Sequence, residues 1–79
     1  MLTTIIDLEG MVLQVKESGS DFLLITTNIN KEGEFIDGEE FLQKIKSNVN
    51  NIKECNYIKN SDTLKIIMYN GLEYKIEIA

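Results

Sequence analysis

The sequence predicts an α+β fold, with one amphipathic helix packed on an antiparallel sheet in the order β-β-β-α-β-β-β. Three observations lead there. Phe41, Leu42, Ile45 and Val49 form a stripe at helical spacing behind a helix-start signature. On both sides of that stripe, apolar residues alternate with polar ones in short runs parted by turn residues. At 79 residues, with no linker, repeat or low-complexity segment, residues 1–79 make a single domain near the lower size limit for folding without a staple.

The first two strands follow from alternation. Leu2, Thr4, Ile6 and Leu8 alternate with Thr3, Ile5 and Asp7, and after Glu9-Gly10 the pattern resumes with Met11, Leu13 and Val15. A two-residue turn at Glu9-Gly10 sets Ile6 opposite Leu13 and Leu8 opposite Met11, so turn and pattern agree on register. Ser18-Gly19-Ser20 makes the next turn, and residues 22–29 are apolar enough for a central third strand. The stretch 28–41 then carries the chain into the helix. Asp37 is the expected N-cap, Glu40 completes a capping box, and Ile36 and Phe41 are placed for a hydrophobic staple. Glu39 and Glu40 near the start, with Lys44 and Lys46 later, suit the helix dipole. Asn48, Asn50 and Asn51 end a helix over about 37–50.

A β-meander completes the chain. Residues 52–59 form a weaker strand, Asn60-Ser61-Asp62 a turn, and residues 63–69 and 72–78 a hairpin. Asn70-Gly71 suggests a two-residue turn, but that register sets Met68 against Glu73 and Ile66 against Lys75. A three-residue loop with Gly71 as a G1 bulge instead pairs Met68 with Leu72, Ile66 with Tyr74 and Leu64 with Ile76. One buried face decides for the bulge. A helix of about a dozen residues spans ~18 Å, enough for three or four strands ~4.8 Å apart and too little for six. Ile5, Val12, Ile67 and Tyr69 are candidates for a second apolar face. The sheet therefore curls, or that face packs on a partner such as a second copy, with Glu73–Ile78 as a candidate edge strand.

Composition narrows the function. Hydrophobic residues make up 43% and charged residues 27%, ordinary values for a globular chain. No apolar run approaches the ~20 residues of a membrane span, and the N-terminal residues lack a signal-peptide pattern. With Cys55 as the single cysteine, a reducing cytoplasm is the expected setting. Cys55 alternates with polar neighbours and reads as a small buried hydrophobe. The chain has no His, and all eight basic residues are Lys. Ser–His and Cys–His catalysis and an N/S zinc site are thereby excluded. Paired carboxylates among the acids near the helix start read as caps and solvated charge, and the small size leaves little volume for a pocket. No enzyme and no cofactor is expected. A net charge of −5 without Arg disfavours direct nucleic-acid binding. The abundance of Ile, Lys and Asn fits an AT-rich bacterial or phage genome.

The segment Asn28-Ile29-Asn30-Lys31-Glu32-Gly33-Glu34-Phe35-Ile36-Asp37-Gly38-Glu39 resembles an EF-hand loop, with Asn28, Asn30, Glu32 and Glu39 as the calcium ligands that resemblance implies. It departs from the pattern at Asn28, which lacks a carboxylate, and at Ile36, which offers no oxygen. The β-branched residues before it also argue against an entering helix. The reading preferred here is a docking surface. Glu32, Glu34, Asp37, Glu39 and Glu40 crowd one short stretch, and carboxylates steer encounters with basic partners. The function this suggests is a small acidic protein-interaction module that occupies a basic, nucleic-acid-binding protein as a nucleic-acid mimic. It would be an inhibitor of the anti-CRISPR or anti-restriction kind, with the Lys44 and Lys46 side of the helix secondary. The alternative is a structural or regulatory homodimer in which the acids serve solubility.

Overall fold

The computed structural model describes residues 3–20 and 22–78. Its first element corrects the predicted hairpin, because Thr3–Glu17 is one helix, α1. Ile5, Leu8, Met11, Val12 and Val15 recur at steps of three and four, and all are buried. Alternation demanded that Ile6 and Leu13 point inward, yet they are 53% and 58% exposed. Leu8, Met11 and Val15 satisfy both periods, so Glu9-Gly10, read as a turn, decided wrongly between them. Gly10 lies on the solvent side of the helix. Leu2, where the predicted first strand began, lies outside the described residues. Ser18-Gly19-Ser20 does turn the chain, but as a helix stop. The Ser20 N–H donates to Val15 O at 3.0 Å and the Gly19 N–H to Lys16 O at 3.0 Å, the paired bonds of a Schellman cap.

Two strands follow, β1 (Phe22–Thr27) and β2 (Glu34–Asp37). The second was not expected, since residues 28–41 read as a passage from strand to helix. Leu23 pairs with Ile36 and Leu24 with Phe35 across this hairpin. Helix α2 (Gly38–Ser47) is shorter than the expected 37–50, because Val49–Asn51 tightens into a 3-10 turn. Asp37 is its N-cap, accepting the Glu40 N–H at 3.1 Å. Phe41 is buried and Ile36 packs against the core.

The meander matches its expected register. Strands β3 (Ile52–Ile58), β4 (Thr63–Met68) and β5 (Glu73–Ile78) pair antiparallel, with Ile66 opposite Tyr74 and Leu64 opposite Ile76. The loop between β4 and β5 holds three residues. The Met68 N–H donates to Leu72 O at 2.8 Å, and Gly71 has φ +92°, a left-handed conformation that a side chain resists.

The α+β class and antiparallel sheet are as predicted, with the order α-β-β-α-β-β-β in place of β-β-β-α-β-β-β. The five strands lie in the order β2-β1-β5-β4-β3. The covering problem posed by one short helix is solved by α1, which packs against α2, β1, β3 and β4, while α2 packs against β2. Both helices lie on one face, over Leu23, Ile25, Leu64, Ile66, Tyr74 and Ile76. Two residues expected on the second face, Ile5 and Val12, are core residues of α1 instead. Strand β5 lies between β1 and β4, so Glu73–Ile78 is no edge; the edges are β2 and β3. Among the described residues, no helix is long and apolar enough to cross a membrane.

Candidate functional site

The five acids of the sequence reading lie together along the β2 edge, with different local duties. Glu32 stands in the β1–β2 turn, Glu34 on β2, Asp37 at the cap, and Glu39 and Glu40 in the first turn of α2. Asp37 is occupied by capping and is half-buried. Glu39 pairs with Lys16, which joins the start of α2 to the end of α1. Glu34 accepts the Asn30 side-chain amide at 2.9 Å. Glu32, Glu34, Glu39 and Glu40 are solvent-exposed.

Sequence reasoning missed the apolar part of this edge. Alternation turns Ile36 toward the core and Phe35 to the uncovered face. There Phe35 is 68% exposed and lies diagonally across from Phe22, itself 49% exposed. Among the described residues, strand β2 pairs only with β1, so its other backbone edge is open to solvent or a partner. The signal was confined to Phe35-Ile36 between two acids, Glu34 and Asp37, a tetrapeptide that does not alternate and is too short and too acidic to read as a strand.

The calcium arrangement does not assemble. The Asn28 side chain donates to Gly71 O at 3.0 Å and accepts the Glu73 N–H at 3.3 Å, tying the β1 end to the β4–β5 turn. Asn30 Oδ1 accepts the Glu32 N–H at 3.3 Å, and Glu39 is held by Lys16. A strand hairpin stands where an EF-hand needs an entering helix and a ligating loop. Among the described residues, no three His, Cys, Asp or Glu side chains are grouped to hold a metal ion.

Two other residues have structural settings. Cys55 is half-buried and packs against the core from β3. The Tyr57 hydroxyl donates to Asp62 Oδ1 at 2.7 Å, and this bond, with smaller effects of burial and of the Asp62 and Asp7 charges, pushes the phenol pKa above its ordinary value. That bond closes the β3–β4 turn, where Asp62 is left-handed at φ +47°.

The structure also contains a cleft that the sequence did not suggest. It measures about 520 Å³ and opens between the C-terminal end of α2 and the β4–β5 turn. Lys44, Asn48, Asn51, Tyr69, Asn70 and Tyr74 are among the side chains lining it. The expectation of too little pocket volume is thus corrected, because the end of α2 and the β4–β5 turn enclose a hollow between them, with Asn48 and Asn51 on one side and Tyr69, Asn70 and Leu72 on the other. Lys44 Nζ stands 5.8 Å from the Tyr74 ring centroid. No protein-family model, curated protein or solved structure matches the chain.

Proposed function

We propose that this protein is a protein-interaction module whose contact surface is the β2 edge together with the first turn of α2. The supporting observation is Phe35, two-thirds exposed on an open edge strand and flanked in sequence by carboxylates. Phe35 supplies an aromatic anchor on the uncovered face, and Glu34, turned with Ile36 to the helix side, supplies charge along the same edge, as the polar rim of a binding hot spot does. The acids call for a basic partner, and a partner surface that ordinarily holds phosphate would be occupied competitively. That is the inhibitor reading of the composition. Asp37 and Glu39 are partly spent on the cap and on Lys16, which leaves Glu32, Glu34 and Glu40 as the main docking charges.

The test is a pull-down from a lysate of the source organism with three baits: the wild type, Phe35→Ala, and a triple reversal of Glu32, Glu34 and Glu40 to Lys. The expected result is a basic protein retained by the wild type at low salt, lost at high salt, and lost with either variant. Capture of the same protein by all three baits would sink the proposal. Self-association is a second reading, favoured by the uncovered sheet face with Phe22, Phe35 and Ile58 exposed on it. It predicts a complex that survives high salt.

A further inference from the structure

We infer that the cleft beside Lys44 is a binding site for a small planar monoanion, an aromatic ring carrying one carboxylate. The cleft has tethered walls. The Tyr69 N–H donates to Asn51 O at 2.9 Å, and the Asn28 side-chain amide donates to Gly71 O at 3.0 Å. On the helix side, the Asn48 amide donates to Lys44 O at 2.8 Å. These bonds fix the β4–β5 turn and the end of α2 in place relative to each other, so the hollow is framed by the fold. Its volume of about 520 Å³ lies within the range of small-molecule sites.

Tyr74 points to a ligand independently. It is only 8% exposed, and its ring packs edge-on against Phe41 with centroids 5.5 Å apart. No described residue gives its hydroxyl a hydrogen bond. On a side chain this buried, a hydroxyl without a protein partner is uncommon. Tyr74 lines the cleft, where a ligand oxygen would complete it. The charge of the ligand follows from Lys44, the charged side chain of the lining, which has no carboxylate within ion-pair distance among the described residues. Asn70 uses Oδ1 to accept the Leu72 N–H and retains its amide donor. The available groups are therefore mainly donors around one positive charge, the Lys44 ammonium, the Tyr74 hydroxyl and the Asn70 amide, with Asn51 Oδ1 as an acceptor beside them. With no second cation and no Arg fork, that set suits a carboxylate better than a phosphate dianion. The ring follows from Tyr69, 70% exposed on the turn, which with Met68 and Leu72 offers a face for stacking.

The experiment is an NMR titration of the full chain with naphthoate, its uncharged analogue naphthamide, and uridine monophosphate. Naphthoate is expected to shift the amide signals of Lys44, Asn51, Tyr69 and Asn70 saturably, with a Kd of about 1 mM. Naphthamide should bind about tenfold more weakly. Lys44→Met should cost a similar factor. Tyr74→Phe keeps the ring and the fold, and it should weaken naphthoate several-fold while raising Tm, a combination that a purely structural tyrosine would not give. Absence of saturable shifts, equal binding of naphthamide, or unchanged binding by Tyr74→Phe overturns the site. Tighter binding of uridine monophosphate than of naphthoate overturns the carboxylate assignment. A fall in Tm for Tyr74→Phe would show that the hydroxyl already has a partner, and it overturns the inference too.

Discussion

Gly33 shows how closely one residue can control the candidate edge. Its φ is +81°, and a Cβ added there would stand 3.0 Å from Thr26 Oγ1 and 3.1 Å from Leu24 Cδ1. Both neighbours belong to β1, so strain at Gly33 is passed directly to the hairpin that presents Glu32, Glu34 and Phe35. Gly33→Ala is expected to destabilise the domain by about 1–2 kcal/mol, adding left-handed strain to a tight contact. Urea unfolding should show this as a lower midpoint at unchanged slope. A variant as stable as the wild type would mean that the turn relaxes freely, and then it could not hold the docking residues in one geometry. The sequence marked Gly33 as special for a different reason, its match to an EF-hand glycine. The conformational need was real, but the turn it serves belongs to a hairpin.

Among the elements, legibility depended on whether two signals were independent. For α2, the apolar stripe and the cap at Asp37 agree, and both appear in the structure. For β4 and β5, pairing chemistry overruled the Asn70-Gly71 turn signal and gave the observed register. For α1, turn and pattern were not independent, because Leu8, Met11 and Val15 fit either period and Gly10 alone suggested a break. Strand β2 has four residues, two of them acidic, and falls below the length at which alternation can be read. The cleft could not be read at all, since Lys44, Asn51, Asn70 and Tyr74 come together only after the sheet order is known. The helical assignment of residues 3–17 has a sharp consequence. Gly10 is exposed, and nothing lies within 4 Å of where its Cβ would be. Gly10→Ala should therefore stabilise the domain by about 0.5–1 kcal/mol, a rise in Tm of roughly 2–8 °C. If a hairpin turned at Glu9-Gly10, the same change would lower Tm.

At the scale of the whole molecule, the sheet has one face under two helices and one face bare. The bare face carries Phe22, Phe35 and Ile58 exposed toward its edges, with Lys65, Lys75, Glu73 and Glu77 between them. Both free edges carry features that discourage indiscriminate pairing. Strand β3 has a register shift between Ile52 and Glu54, and β2 is short and acidic. An antiparallel β2–β2 pairing would gather Glu34 and Asp37 of each copy along a seam four residues long, and that accumulation of like charge opposes it. This repulsion separates the two functional readings. If the edge is kept for a basic partner, the protein is a monomer by light scattering at low salt, and Glu34→Val, which leaves Val-Phe-Ile on an open strand, raises its mass. If self-association is the function, the wild type is already a dimer at the same concentration, salt leaves it intact, and Phe22→Asp dissociates it. A monomeric wild type whose Glu34→Val variant also stays monomeric would show that the carboxylates do not guard this edge. Their placement along the edge that carries Phe35 would then have to be explained by the partner alone.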